Sequence, residues 1–178
     1  MSNLTDFFPS GGGGLTPKFE EFNASGTFTP TQALIDAGGY IEVFLVAGGG
    51  RSNSGSYGGC GGEVIQKTMY LNSTTPLSVV IGAGAGSNGA IGGDSTFNGV
   101  TSLGGAGTAI AQQDFKMGAG WAAYSNNSSP AGSGTLGYGV GGGTDLGGGI
   151  RSGKANSGQG STENRVAGSG YCLIKWYE

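Results

Sequence analysis

Apolar and polar positions alternate with a period of two in several short stretches of this chain, the spacing of β-strands rather than of helices. Tyr40 to Val46 (YIEVFLV) is the clearest, with Gly38 and Gly39 before it and Gly48 to Gly50 after it. Ile41, Val43 and Leu45 share one face. Tyr40, Phe44 and Val46 share the other, interrupted by Glu42. Apolar groups on both faces predict a strand covered on both sides, in a sandwich or at a subunit contact. Glu63 to Leu71 and Leu77 to Ile81 read as two more strands, with Asn72 to Pro76 as the turn between them. Ser95 to Phe97 and Val100 to Leu103 flank Asn98-Gly99, the strongest two-residue hairpin signal. Tyr171 to Tyr177 closes the chain, Cys172, Ile174 and Trp176 alternating with Tyr171, Leu173, Lys175 and Tyr177. Phe19 to Thr29 predicts a bent strand or strand pair with Gly26 at the bulge or turn, ended by Pro30. Thr31 to Ala37 fits one short helical turn.

Two regions break the alternation. Residues 1–14 carry an apolar cluster, Leu4, Phe7, Phe8 and Pro9, followed by Ser10 and the spacer Gly11 to Gly14. A docking peptide on a leash and a frayed terminus both fit, and three large apolar residues favour docking. The globular domain then spans residues 15–178. From Gly104 to Gly170 glycine and small polar residues dominate, with large groups such as Phe115, Met117, Tyr138 and Ile150 scattered among them. A structureless loop of that length is implausible inside a domain. Compact loops, short strands or packed polyproline-II-like runs pinned by those side chains are expected. The glycine spacing mixes two and three, so a collagen period is absent.

Composition sharpens this picture. The 178 residues include 42 glycines, and only 11% are charged. Disordered chains keep charge and shed hydrophobes. This chain does the reverse, so its glycines are read as serving close backbone approach in a folded body. Glycine costs chain entropy on folding, and oligomerisation is the expected compensation. The net charge of -3, without a basic cluster, argues against nucleic acid. No stretch is apolar enough for a membrane helix, and no signal peptide is visible. Cys60 and Cys172 form no disulfide framework. A bond between them and two buried or free thiols both remain open, the latter favoured in a reducing compartment.

Candidate chemistry is sparse. Histidine is absent, which removes the commonest general base and most zinc sites. The carboxylates are few and scattered. Gly84 to Gly89 spells G-x-G-x-x-G, but no helix can follow to hold a pyrophosphate. Gly148 to Lys154 spells a phosphate loop with Ala155 where a hydroxyl should bind magnesium. No enzyme, cofactor or metal is expected. Trp121 and Tyr124 with Asn126 and Asn127 mix aromatic faces with hydrogen-bonding groups. They suit receptor contact; pinning of the loops to the sheet is the plainer reading.

The order of motifs resembles the glycine-rich domain of bacteriophage tail-fibre and other virion-appendage proteins. Phe22 to Pro30 follows F-x-x-G-x-F-T-x-P with one residue more before the glycine and one fewer before the proline, and Val43 to Gly50 the strand running into glycine. Val79 to Gly84 matches V-x-I-G-A-G, Gly92 to Phe97 matches G-G-x-S-T-F, and Gly168 to Trp176 the closing strand. Lys18 to Glu21 is more polar than that pattern. The resemblance implies an all-β, sandwich-like, non-catalytic protein of the virion surface, assembled as a homo-oligomer with a trimer favoured, and made in a bacterial cytoplasm. It would be held to other virion proteins by the N-terminal peptide and would face a host glycan or protein. A purely structural decoration or neck fibre is the alternative.

Overall fold

A computed structural model describes residues 14–53, 58–107, 152–161 and 164–178. Their β-branched and aromatic runs form two antiparallel four-stranded sheets. In the first, β1 (Pro17–Phe22), β8 (Tyr171–Tyr177), β3 (Tyr40–Val46) and β4 (Val64–Tyr70) lie side by side in that order. In the second the order is β2 (Gly26–Phe28), β5 (Leu77–Val80), β6 (Ser95–Phe97) and β7 (Val100–Ser102). The fold is the all-β, sandwich-like one expected. Ile41, Val43, Ile174 and Trp176 of the first sheet meet Phe28, Val79 and Phe97 of the second. Phe28 lies edge-on to both Phe97 (6.0 Å between ring centroids) and Trp176 (5.4 Å). The short α1 (Gln32–Asp36) adds Leu34 to this core; Thr31 caps it by accepting from the Leu34 N–H at 3.0 Å.

Three local expectations change in detail. The chain turns at residues 23–25 and β2 joins the opposite sheet, so Gly26 opens a strand rather than bulging one. Asn72 to Pro76 is a crossing between sheets, not a hairpin turn, because β4 pairs with β3 while β5 pairs with β2 and β6. Both strands serve one core from its two sides. The second face of β3 is covered only in part: Phe44 and Val46 are buried, Tyr40 and Glu42 exposed. The hairpin is as read, with Asn98 (φ 43°) and Gly99 (φ 76°) both left-handed, as a type I′ turn requires.

Beyond the strands, the glycine runs build a second body. Residues 47–51, continuing β3, form its axis. The N–H groups of Gly48, Gly49 and Gly50 donate in turn to Gly93, Gly168 and Cys60, and that of Arg51 returns to the first direction at Ala90. A direction that repeats every third residue is the signature of an extended polyproline-II-type helix. The carbonyls of the same three glycines accept from Gly105, Ala85 and Ser161. The axis therefore touches six runs: 59–63, 82–85, 90–93, 104–106, 158–161 and 167–170. These also contact one another in a closed ring. Gly93 donates to Ala83, Gly92 to Gly105, Cys60 to Ala106 and Gly168 to Gln159, while Gly160 faces Gly59 and Gly84 faces Ala167. Runs parallel and antiparallel to the axis alternate around it. Five of them continue β4, β5, β6, β7 and β8, so the sandwich passes into the ring without a break.

At the crowded glycines such spacing leaves no room for a side chain. A Cβ on Gly48 would lie 2.1 Å from the Ala83 carbonyl oxygen, and one on Gly50 2.1 Å from that of Ala106. At the join, the buried Ser95 hydroxyl donates to the Val46 carbonyl (2.7 Å) and accepts from the Gly82 N–H (2.9 Å). This satisfies both sheets where they converge.

The opposite pole, where β1 begins and β8 ends, is tied by Glu178. Its carboxylate accepts from the Thr31 hydroxyl and from the Trp176 ring N–H (3.0 Å) and lies 3.8 Å from Lys18 Nζ. The Thr31 hydrogen bond, then that of Trp176, holds its pKa below the usual 4.5. A carboxylate favoured in the folded state stabilises above the unfolded pKa, and the gain is lost as pH falls through the folded one. Glu178→Gln is therefore expected to unfold at lower urea than the parent near neutral pH. The gap should shrink progressively as pH falls below about 4.3, the unfolded value; a gap independent of pH would contradict the assignment.

Candidate functional site

At the end of the ring away from the sandwich, several polar side chains of the described residues meet. The axis ends in Arg51, Ser52 and Asn53. Around them the turn at 87–89 meets residue 164. The Asn88 amide N–H donates to the Asn164 side-chain oxygen at 3.2 Å, and the Asn164 backbone N–H returns a bond to the Asn88 side chain at 3.0 Å. Asn164 has φ 60°, a conformation asparagine tolerates better than most residues. Arg51 reaches across the end to donate to the Gly86 carbonyl. The Ser161 hydroxyl donates to the Arg165 carbonyl at 2.7 Å and closes the neighbouring turn.

The described residues that flank the segment 108–151 also lie toward this end. Gly107, before it, packs on Gly89 and Ala90. Gly153, after it, donates to Val166 on the run that rises from Asn164. The first described residues lie elsewhere. Thr16 exchanges backbone hydrogen bonds with Glu178 (2.7 and 3.1 Å) at the far pole of the sandwich. Seven residues of β3 at ~3.3 Å each and five axial residues at ~3.1 Å each separate the two ends by about 40 Å.

Leu4, Phe7, Phe8 and Pro9, and likewise Trp121, Tyr124, Asn126 and Asn127, lie outside the described residues. What sequence reasoning missed is the polar end of the ring. Asn88, Asn164 and Arg51 carried no motif, and their meeting depends on pairings of the ring.

Other chemistry is weakly served. Gly84 belongs to the ring and Gly86 lies in open space, with no helix behind them to cradle phosphate. Cys60 and Cys172 are both free thiols. Burial pushes the Cys172 thiol up to about 12, with the Glu20 carboxylate adding to the effect. Burial also raises Cys60, against a smaller opposing effect of its hydrogen bond with the Ala106 backbone. Both thiols are therefore held in their unreactive protonated form at neutral pH. Among the described residues no group of acidic, histidine or cysteine side chains could hold a metal ion, and no helix is long and apolar enough to cross a membrane.

The two features together, a strand sandwich and a closed glycine ring, run through the whole span that matches a known family. The profile of the glycine-rich domain covers residues 22–177. The chain belongs to the glycine-rich domain family. The match takes in every element from the end of β1 to the last residue of β8, and thus both the sandwich and the ring. No curated protein matches the sequence.

Proposed function

We propose that this glycine-rich domain protein is an adhesin-type appendage of a bacteriophage particle, binding rather than turning over what it meets. Residues 1–14 attach it to other virion proteins, and the free end of the ring faces the host surface. One observation carries the reading. Thr16 lies at one pole, and Gly107 and Gly153, which flank residues 108–151, lie toward the other, about 40 Å away, with a body between them held by backbone contacts. An anchored reader needs that polarity: a leash at the base and variable loops on a stiff support at the tip. Trp121, Tyr124, Asn126 and Asn127 belong to the excursion and are its candidate contacts.

Adsorption competition tests the reading. The purified chain should block particle attachment to host cells. A version lacking residues 1–14 should block equally well while no longer joining particles. Trp121→Ala with Tyr124→Ala should weaken the block about tenfold, a typical cost for aromatic anchors. A chain that joins particles through residues 1–14 but never competes would point to structural decoration. A chain that does neither would remove the appendage reading.

A further inference from the structure

The outer face of the first sheet carries an arrangement that neither the tip nor the core requires. Side chains on this face fall into rows across the strands. In the row nearest the chain start, Tyr40 pairs with Tyr70. Since Ile41 faces Trp176, Tyr40 also stands opposite Tyr177. Three tyrosines from three strands thus sit side by side, and they are 65%, 62% and 57% exposed. Tyr40 and Tyr70 touch, their ring centroids 5.6 Å apart. Beside them, Phe19, opposite Lys175, is 69% exposed.

The next row is polar. Glu42 lies between Lys175 and Thr68, its partners on the two neighbouring strands. Although directly opposed, Glu42 and Lys175 form no ion pair in the structure. With Gln66, Phe44 and Leu173 they line an open hollow of about 290 Å³. That is the small end of ligand-sized pockets, about 300 Å³.

We infer that this hollow and its tyrosine row form a carbohydrate-binding site for a neutral pyranose glycan. A sugar ring presents an apolar C–H face and a rim of hydroxyls. The tyrosines offer flat aromatic surface with a polar tip at low entropy cost. Glu42 accepts, Lys175 donates, and Gln66 and Thr68 do both, which matches a hydroxyl rim. Opposite charges one strand apart favour a neutral ligand over an acid or an amine. The arrangement is inverted relative to a protein interface, whose centre is depleted of charge and whose rim is polar. Here the charges lie in the hollow and the aromatics at its edge, so a covering protein would have to desolvate both ions. Lys67, on the edge strand β4, also borders the hollow, although its register pairs it with the core-facing Val43; exposed, it discourages sheet extension. The site lies on the side of the sandwich, away from the tip, and does not rest on the appendage reading.

Saturation-transfer NMR and chemical-shift titration of the full chain test it. The probes are methyl pyranosides and disaccharides of glucose, galactose, mannose and N-acetylglucosamine. At least one probe should bind with a dissociation constant of about 1 mM or tighter. It should shift the resonances of Tyr40, Tyr70 and Tyr177. Tyr70→Ala should weaken binding at least about tenfold and Glu42→Gln by about threefold, with thermal midpoints near the parent's, since both positions are exposed. Lys175→Met should cost as much as Glu42→Gln. Three outcomes would overturn the inference: no probe binding, shifts confined to residues 86–90 and 164–165, or concentration-dependent self-association abolished by Tyr70→Ala. The last would make the face a contact between copies.

Discussion

Gly49→Ala is expected to lower the thermal midpoint by roughly 10 °C or to abolish folding, whereas Gly86→Ala should leave it nearly unchanged. A Cβ at position 49 would stand 2.2 Å from the Gln159 carbonyl oxygen and 2.4 Å from its carbon. Those are backbone atoms of a ring member that is itself held by Gly50 and Gly168. No flexible side chain is there to yield, so the whole run must move, and close-packed interiors resist such shifts. The penalty is placed at about 4 kcal/mol or more, a size reserved for steric conflict or lost core. Around Gly86 nothing lies within 4 Å, and alanine there even trims the entropy of the unfolded chain. Calorimetry on the two variants decides the matter. Equal midpoints would mean that backbone crowding around the axis is not what holds these runs in place.

Phe28→Ala should cost about 3–5 kcal/mol, the range for emptying a fully buried aromatic site. Phe28 is 1% exposed and bridges the sheets by touching Phe97 and Trp176 together. Its three-residue strand has no other large buried side chain to compensate. Urea unfolding followed by tryptophan fluorescence measures the loss, and Phe28→Leu should recover much of it. Because β3 and β5 to β8 run directly into the ring, the Gly48 and Gly105 amides should lose exchange protection in step with the core. A loss below about 1 kcal/mol would place the weight of the fold in the ring instead.

Much of the sandwich could be read from residue order alone. Alternation located β3, β4, β5 and β8, and Asn98-Gly99 named the β6–β7 turn, because each is a local pattern with a local cause. The sheet change between β1 and β2 was not legible: residues 23–25 would serve a hairpin as well as a corner. Packed polyproline-II-like runs were one expectation for residues 104–170, most of which lie outside the described residues, and the ring itself was not legible. Its contacts are made by backbone atoms of runs far apart in the chain, and Gly-Gly-Gly spells a loose loop and a packed helix alike. The tyrosine row is intermediate. Each tyrosine's face follows from parity along its own strand, yet their adjacency depends on the register of β8, β3 and β4, which no single strand encodes.

The pairing of β1 with β8 has a mechanical consequence. β1 leaves the lower pole and points toward the tip, joined to β8 along six residue pairs, Pro17 with Tyr177 through Phe22 with Cys172. Tension between the chain's start and the ring would load this strand lengthwise, so its hydrogen bonds bear the pull at once in shear instead of parting singly like a zip.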